Sequence, residues 1–157
     1  MSMSNPVIDS EGNKRWYNDV GQYHRLDGPA QMDGEGNNSW YLNGKLHRLD
    51  APACEWADGD KEWYLNGQRH RLDGPAIEWK DGSKSWYLNG NRHREDGPAI
   101  EYPDGSKAWW LNGKLHREDG PAIEDANGTN EWWLNGKEYT EEEYVMIQFM
   151  NGVNVNV

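Results

Sequence analysis

Aliphatic side chains are scarce in this chain. Leucine, isoleucine, valine and phenylalanine number 10, 5, 6 and 1, or 22 of 157 residues, and the formal net charge is −11. Few aliphatics with high net charge ordinarily mark a chain that buries too little apolar surface to offset the entropy of ordering. Cysteine occurs once, as Cys54, which excludes an internal disulfide, and no Cys/His cluster has zinc spacing. No apolar run reaches the ~20 residues of a membrane helix, and no basic-then-apolar N-terminal stretch reads as a signal peptide. A cytoplasmic, reduced setting without membrane contact is the expectation. Basic residues are outnumbered, 16 against 27 acidic, so no direct nucleic-acid binding is expected. An acidic mimic of nucleic acid would need this sign of charge.

Against these absences stand 10 tryptophans and 8 tyrosines. One tryptophan buries up to ~250 Å², so a core built from rings can replace one built from branched aliphatics. The rings are periodic. Aromatic pairs begin at Trp16, Trp40, Trp63, Trp86, Trp109 and Trp132, with steps of 24, 23, 23, 23 and 23 residues. His-Arg follows at 24–25, 47–48, 70–71, 93–94 and 116–117, and Pro-Ala closes each period from Pro29 to Pro121. Such a period is the signature of a repeat architecture. We number the repeats one to five from Trp16, Trp40, Trp63, Trp86 and Trp109.

Each repeat carries two hairpin signals. Asn-Gly, as at Asn89-Gly90, suits a two-residue type I′ turn in which both central residues take positive φ. Asp-Gly at 58–59, 81–82 and 104–105 reads the same way. Pairing about Asn89-Gly90 sets Tyr87 opposite Arg92, and pairing about Asp81-Gly82 sets Ile77 opposite Trp86. Alternation then places Ile77, Trp86, Leu88 and His93 on one face, with Glu78, Tyr87 and Arg94 on the other. The Asp-Gly-Pro segment breaks the ladder, since proline lacks a donor. The predicted fold is all-β: an elongated antiparallel β-hairpin repeat array of ~23-residue units with a short C-terminal capping helix. The whole of 1–157 reads as one repeat domain, with a half-repeat cap at 7–15 and five repeats plus a partial sixth at 16–139. The capping helix spans 140–151. Thr140 before Glu141-Glu142-Glu143 is the helix N-cap signal, and Tyr144, Val145, Ile147, Gln148 and Phe149 form the expected apolar stripe.

A 23-residue unit with an aromatic-x-N-G core and later turn glycines resembles the MORN repeat. The subtype W-Y-x-N-G-x-x-H-R-x-D-G-P-A stands almost verbatim at 86–99 and, with Ala51 in place of glycine, at 40–53. The resemblance covers roughly 7–139 and extends to proteins encoded by bacteriophages and large DNA viruses. It implies a MORN-like β-hairpin scaffold for binding, without inherent catalysis.

The repeated polar residues are the candidates for metal binding and catalysis. Two zinc-bound nitrogens lie at most ~4.2 Å apart, whereas equivalent residues of successive repeats stand about two strands, ~9.5 Å, apart. No metal and no cofactor are predicted. Catalysis needs a unique constellation, and His, Arg and Asp here recur five times, so no catalytic residue is assigned. Trp40, Trp63, Trp86 and Trp109, with His47, His70, His93, His116 and Arg48, Arg71, Arg94, Arg117, read as structural repeat positions. The histidine ring is expected on its tryptophan, bonded to the Asp-Gly-Pro turn. Arg is expected to tie a turn, Asp to accept turn amides, and the column Glu55, Glu78, Glu101, Glu124 to face Arg as an acid–base ladder.

Function then lies where the repeats differ. Between His-Arg and Asp stand Leu26, Leu49 and Leu72, then Glu95 and Glu118. With Trp56, Trp79 and the hairpin-tip residues Arg69 and Arg92, the leucines form the candidate binding surface, since Trp and Arg dominate interaction hot spots. The leading expectation is a phage- or virus-encoded protein that binds or inhibits a host protein, such as a defence factor, in the host cytoplasm. Open strand edges also allow a homodimer. The alternatives are a sponge that holds a nucleotide ligand between Trp and Arg, and, more weakly, an acidic DNA mimic.

Overall fold

The computed structural model describes residues 5–152. The chain divides into two units, 1–80 and 81–157, and both are antiparallel β-hairpin repeat arrays. In the first, the strands Val7–Ile8, Lys14–Arg15, Gln31–Met32, Asn38–Ser39, Cys54–Glu55, Lys61–Glu62 and Ile77–Glu78 pair in that order. In the second, the order is Lys84–Ser85, Ile100–Glu101, Lys107–Ala108, Ile123–Glu124, Asn130–Leu134 and Lys137–Tyr139. Each repeat adds two short strands to its ladder, and in repeats two to five a separate Asn-Gly hairpin precedes them, such as Tyr64–Leu65 with Gln68–Arg69 or Tyr87–Leu88 with Asn91–Arg92.

The ladder strands stay short because tryptophan and alanine end them together. Trp40 N–H donates to the Ala53 carbonyl at 2.8 Å, and Trp16, Trp63, Trp86 and Trp109 do the same to Ala30, Ala76, Ala99 and Ala122. All five alanines are 0 % exposed. Alanine follows proline at every repeat, and its methyl is enclosed on all sides. The chain then leaves the ladder into the Asn-Gly hairpin. Hairpins hang from one another through glycine: Gly67 N–H donates to the Leu46 carbonyl and Gly113 N–H to the Arg92 carbonyl, both at 2.8 Å.

The two turn types differ, contrary to the expectation that both are type I′. At Asn89-Gly90 both residues have positive φ, 50° and 83°, as type I′ requires. At Asp104-Gly105 only the glycine does, at 94°. Tyr102 N–H donates to the Ser106 carbonyl and Gly105 N–H to the Tyr102 carbonyl, both at 3.0 Å. This is a three-residue loop closed by a glycine bulge, which shifts the pairing by one residue. Ile100 therefore lies opposite Ala108 rather than Trp109. A one-residue slip moves side chains to the other face, so Ile100 and Trp109 do not share one as predicted. Arg94 and Trp86, also expected on opposite faces, are in contact, because the chain leaves the Asn-Gly hairpin after Arg92 and Arg94 N–H donates to the Trp110 carbonyl of the next repeat.

The core is thin and lies on the ladder face that carries Cys54 and Ile77 in one unit, and Ser85, Ile100 and Ala108 in the other, all buried. At the C-terminus the helix Glu141–Met150 begins with a capping box between Thr140 and Glu143. It docks through a narrower stripe than the sequence suggested. Tyr144 and Gln148, one helical turn apart, are buried, whereas Phe149 is 81 % exposed. The Tyr144 hydroxyl donates to the Arg117 carbonyl and accepts the Gly120 N–H, both at 3.1 Å. The helix thus covers the last His-Arg loop. Among the described residues no helix is long and apolar enough to cross a membrane.

Two measurements check this packing. Ala99→Leu overpacks a closed site and is expected to lower unfolding free energy by about 1–3 kcal/mol, read by urea denaturation; an unchanged midpoint would show that the site is roomy. The Cys54 thiol, pushed up to about 11 chiefly by burial, is a poor nucleophile near neutrality. A disulfide reagent should label it slowly in the native protein and rapidly in urea; rapid native labelling would contradict the burial.

Candidate interaction surface

The H-R-x-D-G-P-A segment of each repeat is organised by its arginine. The guanidinium lies over the tryptophan of its own repeat at 3.8–4.2 Å from the ring centroid, in Arg25–Trp16, Arg48–Trp40, Arg71–Trp63, Arg94–Trp86 and Arg117–Trp109. All five also donate to the proline carbonyl four residues on, at 3.0–3.3 Å. Nε donates to the Asp two residues on in Arg25–Asp27, Arg71–Asp73, Arg94–Asp96 and Arg117–Asp119. Nη1 reaches the glutamate seven residues on in Arg48–Glu55, Arg71–Glu78, Arg94–Glu101 and Arg117–Glu124, at 2.5–2.9 Å. A planar donor fork is suited to serve an aromatic face, a carbonyl and two carboxylates together. The acid–base ladder thus joins four arginines, Arg48, Arg71, Arg94 and Arg117, to their own repeat's Glu. Asp accepts from Arg, where turn amides were expected.

The histidines do different work from that expected. Nδ1 of His24, His47, His93 and His116 accepts the backbone N–H of the Asn in the next repeat's Asn-Gly turn, at 3.0–3.2 Å. Those N–H groups belong to residues in the left-handed conformation. The imidazole thus links neighbouring repeats. Among the described residues, no three His, Cys, Asp or Glu side chains are placed to hold a metal ion together.

The glycine after Asp is explained by the same arginine. A Cβ added at Gly28, Gly74, Gly97 or Gly120 would stand 2.9–3.1 Å from the Arg Cζ. The second repeat has Ala51 there. Arg48 keeps its ring, the Pro52 carbonyl and Glu55, but among the described residues no ion pair joins it to Asp50. The alanine methyl occupies the space that the guanidinium needs to reach the aspartate.

The leucines lie on the outside of these loops. Leu26, Leu49 and Leu72 are 75, 73 and 83 % exposed. Leu49 and Leu72 flank a cleft of about 510 Å³ in the first unit, floored by Trp63, Leu65 and His70. In the second unit the equivalent cleft, about 650 Å³, has Glu95 and Glu118 in the leucine positions. Those carboxylates lie 3.6 and 3.5 Å from Nε2 of His93 and His116.

The remaining candidate binding residues are not gathered there. Trp56, 36 % exposed, and half-buried Trp79 follow the ladder strands and do not line the leucine cleft. Arg69 lies over the Tyr64 ring and donates Nε to Glu62, which also accepts the Tyr64 hydroxyl. Arg92 sits 5.7 and 5.3 Å from the rings of Tyr87 and Trp110. Where Glu62 and Glu131 stand just before the third repeat and after the fifth, Ser85 and Ala108 stand just before the fourth and fifth, and among the described residues Arg92 Nε and Trp110 Nε1 are buried without a hydrogen-bond partner. The unchanging Trp-to-Arg spacing of eight residues in repeats two to five is the signal for the stacked pairs; extending strand alternation into the His-Arg segment, which lies outside the strands, hides it.

Hydrogen bonding by arginine holds the Asp27, Asp73 and Asp96 carboxylates below the usual range. A depressed folded-state value adds stability that is complete above the unfolded value of ~3.9 and is lost as pH falls through the folded one. Asp96→Asn should therefore be less stable than wild type at pH 7 and converge with it in acid below that window, as read from urea midpoints. A deficit that persists at the lowest pH would mean the carboxylate charge is not responsible.

No protein-family model matches the chain, and no curated protein sequence matches it.

Proposed function

We propose that the chain is a non-catalytic repeat scaffold that binds a partner protein through its three leucine loops, H-R-L-D-G-P at 24–29 and 70–75 and H-R-L-D-A-P at 47–52. The carrying observation is the exposure of Leu26, Leu49 and Leu72 on three loops whose backbone is rigidly tied by arginine. A leucine held out on an ordered loop loses little entropy on docking, and apolar contacts ringed by polar groups are the usual form of an interaction surface. The polar groups that could have served catalysis are engaged in the repeat itself: Arg with Trp, Pro, Asp and Glu, and His with the next Asn turn. The tryptophan faces that a nucleotide base would stack on carry guanidinium groups at 3.8–4.2 Å, which favours the protein-binding reading over a nucleotide sponge. The MORN-like repeat pattern suggests a phage- or virus-encoded protein acting on a host protein.

The test is capture of a defined partner by the wild-type chain, compared with the double variant Leu49→Glu plus Leu72→Glu. Both leucines are exposed, so the variant should retain its circular dichroism and melting temperature and lose the partner at least tenfold in affinity. A folded double variant that keeps every partner would place the binding surface elsewhere.

A further inference from the structure

The two clefts share a backbone plan and differ in chemistry. In the 94–119 cleft, Asp96 and Asp119 are bonded to Arg94 and Arg117, and Glu95 and Glu118 lie against histidine Nε2. Its two aspartates thus have cations of their own, and its rim is polar. In the 48–73 cleft Leu49 and Leu72 form the rim, and Asp73 is bonded to Arg71. Asp50 differs: it is exposed, and among the described residues it has no ion pair, because Ala51 stands where the other four repeats have glycine. The cleft lining holds Arg48, Arg71, Asp50 and Asp73, and outside the lining each guanidinium is also bonded to a glutamate, Arg48 to Glu55 and Arg71 to Glu78. The excess is negative, and the carboxylate with no cation of its own is at the apolar rim.

From this complementarity we infer that the 48–73 cleft receives a lysine side chain flanked by aliphatic residues, carried by the partner protein. The aliphatic neighbours and the methylene stem lie on Leu49, Leu72 and the Trp63–His70 floor, and the ammonium meets Asp50. Long cationic side chains bind in this divided way, with the stem on apolar surface and the head on the charge. The inference rests on the loops being the partner surface, and it assigns Ala51 a role: a methyl that withholds Arg48 from Asp50 and so leaves the carboxylate for a ligand. A lone exposed ion pair contributes little, so the apolar rim supplies most of the affinity and Asp50 the selectivity.

The probes are the capped tripeptides acetyl-Leu-Lys-Leu-amide and acetyl-Leu-norleucine-Leu-amide, titrated at millimolar concentration into the ¹⁵N-labelled full chain. The lysine peptide should shift the amides of Leu49, Asp50, Ala51 and Leu72 and bind about two- to fivefold more tightly than the norleucine peptide. That preference should vanish in Asp50→Asn. It should also vanish in Ala51→Gly, which restores the space for Arg48 to reach Asp50 and removes no charge. Equal binding of the two peptides, a preference surviving in either variant, shifts centred on 94–119, or no shift with either peptide would each overturn the assignment. If partner capture still fails in the Leu49→Glu plus Leu72→Glu variant, the loop surface stands and only its lysine occupant is lost.

Discussion

The arginine of each repeat is the interaction on which the rest depends. One guanidinium covers a tryptophan face, receives the proline carbonyl that closes the loop and neutralises one or two carboxylates. Without it, the tryptophan face and the loop carbonyl would be left to water, and the acidic residues of the loop would repel one another. A chain so poor in aliphatic residues can fold because each repeat substitutes a stacked cation–ring pair for a cluster of branched side chains. Such a pair contributes about 0.5–2 kcal/mol according to its exposure. The stabilisation is modest per repeat and recurs along the chain.

Around that hub, each conserved letter of the repeat has a local physical cause. Glycine after Asp leaves room for the guanidinium, alanine after proline fills a closed site under the tryptophan amide, and histidine presents Nδ1 to the next left-handed Asn. The Asn-Gly turn needs two positive-φ residues, and the Asp-Gly turn needs one. Departures from the pattern leave visible consequences. Ala51 releases Asp50 from its arginine, and Ser85 and Ala108, standing where Glu62 and Glu131 stand elsewhere, leave Arg92 Nε and Trp110 Nε1 buried without partners among the described residues. A regular array thereby acquires chemically distinct loops on one backbone plan: leucine-rimmed in the first unit, glutamate-rimmed in the second.

Much of this was legible in the sequence, and the illegible part has a common source. The repeat length, the all-β hairpin character, the type I′ turns and the helix cap at Thr140 follow from local rules, because turn and cap preferences depend on a few adjacent residues. The Asp-Gly loop length was misread, since Asp-Gly serves both two-residue and bulged three-residue turns, and choosing between them needs the partner strand. That single residue changed which ladder residues share a face. The arginine–tryptophan stack was concealed separately, because the His-Arg segment lies outside the strands and does not follow their alternation. Phe149 was misplaced for a similar reason: the helix pattern shows which residues are apolar, and only the docking of Tyr144 onto the Arg117–Gly120 loop decides which stripe is covered.

By itself, the sequence determined the period, the turns and the positions at which repeats differ, because these are properties of neighbouring residues and of exact spacing. It singled out Leu26, Leu49 and Leu72 as variable, and it showed Ala51 as an exception to glycine. Tertiary structure alone decided that the leucines project outward while Trp56 and Trp79 stay apart from their cleft. It alone gave the exception a meaning, since the cost of one methyl depends on a guanidinium that lies three residues away along the chain and touches it only in the folded loop.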